Sequence, residues 1–407
     1  MRIDAATLER RLDALYAIGG EPDGGAYRPL YGPAWASACE QVERWMKDAG
    51  LKTRYDAAGN IWGRAEGSAK ERSIVTGSHI DTVRRGGRLD GALGIVAGLT
   101  AVEALLKVRG APQRTLEVVA ICEEEGSRFA TNFWGSRAII DAIGKDEPQT
   151  IADAQGVTIG SAMRQRGLDP AKIAGAARND IGTFVELHIE QGVTLASSGA
   201  PLAVVSAITG IAQLEVLVTG QPDHAGTTPM DLRGDALAGA AVMIQAIESL
   251  ARAAGKPAVA TVGKIRAEPD QVNVIPGRVV FTVDVRHPDL AARRALEGSI
   301  HAACGAAATD RSLGVEIRTL QERDPVSMHA EVRALLVRAA KDCGISAEEM
   351  VSGAGHDAQV LAARCRVGMV FVPSLGGRSH CPEERTDPKH LELGTKVLAR
   401  ALELLAY

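Results

Sequence analysis

Aromatic residues make up only 3% of this 407-residue chain, so stacking platforms for nucleobases have little to be built from. Runs of basic residues are missing and the formal net charge is −4, which argues against a surface that tracks nucleic-acid phosphates. No apolar stretch approaches the roughly 18 residues that a membrane span needs. Met1 to Arg11 are charged and helix-like, without the apolar centre of a signal segment. The six cysteines (Cys39, Cys122, Cys304, Cys343, Cys365, Cys381) are scattered with no CxxC pair, and a reduced, cytoplasmic protein fits that distribution. What is present is an ordinary globular composition, 46% apolar and 24% charged, on a chain long enough for two domains.

The N-terminal third alternates helices with short apolar runs. Val42, Trp45, Met46 and Ala49 form one helical stripe that stops at Gly50. Ser73–Gly77 and Leu116–Cys122 read as buried strands, with a helix over 92–108 between them, the mark of an α/β layered sheet. From about Ile208 the texture changes. Leu214, Val216 and Val218 alternate with polar or small partners; a helix over 234–254, strands over 258–265 and 278–286, a helix over 290–307 and a strand over 315–320 follow. That β-α-β-β-α-β order is the split arrangement of a small α+β domain. After about Arg323 the α/β texture returns, ending in a helix over 388–406 capped by Asp387-Pro388. The expected organisation is one domain, 1–208 with 324–407, carrying a second inserted at 209–323.

The chemistry-bearing residues follow apolar runs. His79 and Asp81 stand two apart in Gly77-Ser78-His79-Ile80-Asp81, so on extended chain they share a side, and the carboxylate can hold the far nitrogen of a ligating imidazole. Asp90 follows in Leu89-Asp90-Gly91, after Gly86-Gly87. Glu123-Glu124-Glu125-Gly126 follows Cys122; adjacent buried carboxylates repel one another unless a cation is present. A metal site resolves this, with one acid as ligand and its neighbour free to take a proton from the attacking water. His188, in Leu187-His188-Ile189-Glu190-Gln191-Gly192, and His380, in Arg378-Ser379-His380-Cys381-Pro382-Glu383-Glu384, complete a ligand set of histidines and carboxylates. Such a set suits Zn²⁺, Mn²⁺ or Co²⁺ at a catalytic site. Each motif alone has a bland alternative as a solvated strand end. Cys122 and Cys381 read as packing residues, and His287, His301, His329 and His390 as surface residues. His356 is open between a substrate contact and a loop-forming role.

Together these motifs resemble the M20 di-zinc metallopeptidase family over essentially the whole chain. Within it they resemble the amidase branch of N-carbamoyl-L-amino-acid, β-ureidopropionate, ureidoglycolate and allantoate amidohydrolases. Tyr27–Tyr31, Glu123–Phe129 continuing to Phe133-Trp134-Gly135-Ser136, and Ser352–Ala358 are similar to the allantoate-cleaving members in particular. The resemblance implies a di-metal aminopeptidase-like catalytic domain with an inserted ferredoxin-like lid and dimerisation domain. It implies two divalent cations, with Asp90 bridging them, His79 and His188 on one and Glu125 and His380 on the other. Glu124 would be the general base; a register with Glu123-Glu124 as base and ligand, as in the peptidase branch, stays open beside it. Substrate contacts fall to Gln191, His224, Asn273, Arg286 and the backbone around Gly355. His224 is expected to reach a partner subunit's site in a homodimer, while Asn273 and Arg286 hold the substrate carboxylate from the same chain's lid. Gly210–Leu214 is less basic than the allantoate pattern and is expected in a loop. The implied substrate is a small ureido compound bearing a carboxylate. A non-catalytic binding homologue and a peptide-cleaving exopeptidase are the alternatives of other classes; the intact ligand set argues against the first, and the Glu-Glu-Gly and His-Ala-Gly-Thr-Thr-Pro patterns against the second.

Overall fold

Apolar runs too short for helices become the buried strands of a mixed sheet. In the computed structural model, which describes residues 2–407, every residue of Ser73–His79 and Leu116–Ile121 is buried. The two strands are parallel, with His79 opposite Ile121. Ile181–Ile189 pairs parallel with Ser73–His79 on its other side, and Arg366–Val372 pairs parallel with Ile181–Ile189. Antiparallel strands flank this centre: Ile61–Ala65 and Lys52–Tyr55 at one side, Ala203–Ile208 at the other. Parallel strands running one way gather their C-terminal ends at one edge, which is where open α/β sheets bind ligands. His79, the Glu123 loop and His188 lie at that edge, and the loop carrying His380 leaves from it.

Helix Ala92–Arg109 is buried from Ala92 through Val102, because the sheet covers one side and helices Ala5–Ala17 and Pro388–Ala406 cover others. The latter starts as its sequence indicates, with the Asp387 side chain accepting from Lys389 N at 3.0 Å and Pro388 in the first turn. The hairpin Lys52–Tyr55/Ile61–Ala65 carries no apolar alternation in its outer strand and is held by its turn instead. There the buried Asp56 carboxylate accepts from Ala58 N (3.0 Å), Asn60 N (3.0 Å), Asn60 Nδ2 (2.8 Å) and Trp62 Nε1 (2.9 Å). Asn60 Oδ1 in turn accepts from Cys122 N at 2.8 Å, tying the hairpin to the start of the glutamate loop. Asp56→Asn, the same shape with a donor where an acceptor is needed, should cost about 2–3 kcal/mol. A urea midpoint that falls with an unchanged slope would register it.

The chain divides into two compact units: residues up to Ser206 with Met328–Tyr407, and Ala207–Ser327. The smaller one is a four-stranded antiparallel sheet of Gly210–Thr219, Val259–Glu268, Arg278–His287 and Gly314–Arg323, ordered fourth, first, third, second. Helices Ala236–Ala254 and Leu290–Asp310 pack on the face made by Leu214, Val216, Val218, Val279 and Phe281, a ferredoxin-like plait. Gly210–Leu214 is therefore no loop. It opens an inner strand whose alternate residues Ala212 and Leu214 join this core. Ala236–Ala254 is also more apolar than the sequence reading allows. Among the described residues it is the one helix with the length and hydropathy (mean 1.3) of a membrane span. Its Ala240, Met243 and Ile247 are buried in the core of the smaller unit, and its exposed Glu248 and Arg252 pair with each other, as in a core helix of a plait.

Candidate metal centre

His79 ends its strand, and the turn after it brings Asp81 back under the ring. Asp81 Oδ1 lies 3.2 Å from His79 Nδ1. The same carboxylate accepts from Glu124 N (3.0 Å) and Glu125 N (3.2 Å), so one acid orients the imidazole and anchors the glutamate loop. His79 Nε2 then faces Asp90 Oδ1 at 3.4 Å. This approach depends on Gly91, which has φ 66°; a Cβ there would lie 2.5 Å from His79 Cε1. From the neighbouring strand His188 sets Nε2 3.2 Å from the same Oδ1. Its Nδ1 is 3.0 Å from Ile189 O, which places the ring proton on Nδ1 and leaves the Nε2 lone pair for a ligand.

The other oxygen of Asp90 faces elsewhere. His380 Nε2 is 3.2 Å from Asp90 Oδ2 and 3.3 Å from Glu125 Oε1. Gln191 Nε2 (2.8 Å) and Ser379 Oγ (2.9 Å) also approach Oδ2. Two donor groups, His79–Asp90–His188 and Asp90–Glu125–His380, thus share one carboxylate, the donor atoms of each within 4.8 Å. A third such group is His79, Glu124 and Glu125.

Burial would raise the Asp90 pKa, but hydrogen bonds from His188, His380 and His79 outweigh it and hold the carboxyl well below its ordinary range. The glutamates lack that support. Burial, then the neighbouring Glu125 charge, pushes Glu124 well up; burial raises Glu125 despite His380. His380, held by Asp90 and then Glu125, rises to about 11. Every donor is an imidazole nitrogen or a carboxylate oxygen, and buried acids crowd round without enough buried cations to balance them. Such a set fits a pair of divalent cations, His79 and His188 serving one, Glu125 and His380 the other, and Asp90 both.

Hydrogen bonds distinguish the three glutamates. Glu123 turns its oxygens to backbone donors, Gly126 N on one and Trp134 N (3.2 Å) on the other, and shares no donor group. Glu124 and Glu125 are the two that face His79 and His380. Gln191 is at the centre but its Nε2 is taken by Asp90 and its Oε1 is buried without a partner. Gly355 lies beside the Phe133 ring. His356 is buried, edge-on to the His188 ring at 4.5 Å and 2.9 Å from Ser352 Oγ, and with Glu186 and His188 it forms a further group of donor atoms within 4.8 Å. His301 is exposed as expected, while His287, His329 and His390 are half-buried.

In the smaller unit the structure groups His224 with Asn273. Val274 pairs opposite His224 in a two-residue ladder, and Ala225 N donates to Asn273 O at 3.0 Å. Arg286 lies near the far end of Arg278–His287, opposite Ile211, about 25 Å of extended strand from Arg278. It is held by Asp284 at 2.7 Å. Asn273 thus lies with His224 on one ladder and Arg286 near the end of another strand. Sequence reasoning also left Glu384 and Ser379 without roles, although both sit in the quoted His380 motif and both turn out to brace Asp90. Glu186, buried behind His188 and held by Ser78 Oγ at 2.6 Å, had no signal beyond being an acid inside a strand.

Residues 75–404 match Peptidase family M20/M25/M40. The chain belongs to this family. It is 41% identical to the allantoate amidohydrolase of Escherichia coli (strain K12), over 98% of both chains. It is 38% identical to the N-carbamoyl-L-amino-acid amidohydrolase of Paenarthrobacter aurescens, over 99% of this chain and 98% of that one. The crystal structure of a hydantoinase/carbamoylase-family amidase from Burkholderia multivorans superposes with a TM-score of 0.93 at 33% identity, covering 98% of this chain and 97% of that one. The segments similar to allantoate-cleaving members are neighbours in space: Trp134 Nε1 donates to Tyr31 Oη at 3.0 Å, and Arg128 to Leu30 O at 2.8 Å, beside the glutamate loop.

Proposed function

We propose that this family member is a two-metal amidohydrolase that cuts a ureido C–N bond, converting allantoate and water to ureidoglycine, ammonia and carbon dioxide. The observation that carries the reading is the division of the Asp90 oxygens, Oδ1 towards His79 and His188, Oδ2 towards His380. Sequence relatives of both kinds, allantoate and N-carbamoyl amino acid hydrolases, support the ureido class. When bound, two cations (Zn²⁺ or Mn²⁺, with Co²⁺ able to substitute) polarise the ureido carbonyl and acidify the attacking water. Glu124 takes the water proton and delivers it to the leaving nitrogen. Asp81 keeps the His79 ring in place. Arg286 pairs with the substrate carboxylate, the His224 ring meets the developing oxyanion, and Gln191, Asn273 and the Gly355 backbone fix the remaining polar groups. The working form is a homodimer.

Ammonia release from allantoate, ureidoglycolate and several N-carbamoyl-L-amino acids by the Mn²⁺-loaded protein is the deciding measurement. Allantoate should give the highest kcat/KM. Preference for N-carbamoyl amino acids would move the substrate to the second kind of relative, and no release from any would overturn the reading. Chelator dialysis should abolish turnover and added Mn²⁺ or Zn²⁺ restore it. His380→Ala should lose one ion first, because that side chain is 47% exposed whereas His79 and His188 are buried. Elemental analysis counts the ions; full turnover by metal-free protein would sink the mechanism.

A further inference from the structure

The loop that carries His380 is poorly placed to hold it. His380 is exposed, has φ 55°, and lies in a stretch without helix or strand of its own. Four residues on, Glu384 is 2% exposed and reaches across to the opposite loop. Its Oε1 accepts from Leu89 N (2.7 Å) and Asp90 N (3.0 Å). Its Oε2 lies 2.8 Å from Ser379 Oγ, which is also 2.9 Å from Asp90 Oδ2. A carboxylate in this position needs room, and Gly87 supplies it: a Cβ at 87 would lie 2.1 Å from Glu384 Oε1. Gly87, the second glycine of the pair before Asp90, is thereby explained by a residue almost 300 positions away.

We propose that Glu384 is a positioning residue that straps the His380 loop to the Asp90 loop and so assembles the cation site of Asp90, Glu125 and His380. The strap acts on both partners. It fixes the Asp90 backbone through two N–H groups, and through Ser379 it fixes the oxygen that faces His380. A serine hydroxyl has one proton, so it donates to one of the two carboxylates at a time. Glutamine at 384 could donate to Ser379 Oγ and free that hydroxyl for Asp90 while its carbonyl still accepts from Leu89 N and Asp90 N. Alanine leaves the Leu89 and Asp90 N–H groups unheld and Ser379 with Asp90 alone to bond. Residues that orient ligands in this way typically change metal affinity by about 10–100-fold when lost.

The proposal rests on the two-cation reading of the centre, and the test separates the two. Apo-protein is titrated with Mn²⁺ alone, followed by calorimetry and by electron paramagnetic resonance, which distinguishes a coupled ion pair from an isolated ion. Wild type should take up two ions per chain. Glu384→Ala should weaken the second ion by about 10–100-fold and replace the coupled spectrum with that of a single ion, while Glu384→Gln should retain most of the affinity. Gly87→Ala, which displaces the carboxylate without removing it, should reproduce the alanine variant, and combining the two should weaken binding no further than either alone. Should Glu384→Ala fail to fold, the Gly87→Ala and Glu384→Gln pair makes the same comparison. Two ions bound with wild-type affinity by Glu384→Ala or Gly87→Ala, or additive losses in the double variant, overturn the strap. Fewer than two ions in wild type overturns the reading of the centre beneath it.

Discussion

Glu124→Gln should lower kcat by at least about 100-fold while leaving the metal content unchanged. Glutamine keeps the size and most hydrogen bonds of glutamate but cannot take a proton from the attacking water. Glu124 is placed for that task, with a carboxylate oxygen in one group with donor atoms of His79 and Glu125, all within 4.8 Å of one another. Asp81 accepts from the Glu124 amide, so the backbone that aims the side chain is held independently of it. Glu123 provides the contrast. Its carboxylate accepts from Gly126 N and Trp134 N, and an amide in its place would put a donor against one of those donors. Glu123→Gln should therefore reduce stability by about 1–3 kcal/mol and affect kcat far less. Steady-state kinetics with elemental analysis of both variants checks this. If Glu123→Gln loses turnover with metal retained and Glu124→Gln does not, the base is one residue earlier than the geometry indicates.

That contrast shows what sequence could and could not reveal. Histidines and acids that follow apolar runs were legible, because a strand of period two fixes which residues emerge at its end and the parallel order brings those ends together. That His79, Asp81, Asp90, His188 and His380 come together could be expected from that, from the motif spacing and from the family resemblance. The glutamate register was not legible, since three identical residues differ only in which backbone donors lie nearby, and those donors come from residues 126 and 134 after the loop folds back. Glu384 was hidden for a similar reason. Its partners are the amides of Leu89 and Asp90, and backbone donors leave no mark on composition. The ferredoxin-like plait was readable from its order of elements, but Gly210–Leu214 was expected in a loop from its departure from the more basic allantoate pattern. Its place beside Arg278–His287 and Gly314–Arg323 makes it an inner strand. The grouping of Asn273 with His224 depends on a ladder of two residues, too short for any periodicity to announce.

His224→Ala should cost about 10²–10³-fold in kcat, the scale of losing one donor to a developing oxyanion. The ring is prepared for that role: Nδ1 accepts from Gly226 N at 3.0 Å, which puts the proton on Nε2 and makes that nitrogen the donor. The side chain is exposed and spends its outer face on no partner among the described hydrogen bonds. An exposed, correctly protonated donor on a two-residue ladder is what a group serving another subunit requires. If it serves the partner's site, inactive His224→Ala and inactive Glu124→Gln homodimers should regain activity once their subunits exchange, because one of the two sites in each mixed dimer holds both intact groups. Asn273 sits on the same ladder, so Asn273→Ala should also be rescued by Glu124→Gln. Arg286 is anchored near the far end of the Arg278–His287 strand and is expected to serve its own chain. Arg286→Ala mixed with Glu124→Gln should then stay inactive, since neither site of the mixed dimer would be whole. Subunit exchange is followed by mass spectrometry of differently tagged chains. Exchange without recovery in the His224 mixture would mean that His224 acts within its own chain or not at all. Rescue of Arg286→Ala would mean that the arginine crosses to the partner as well.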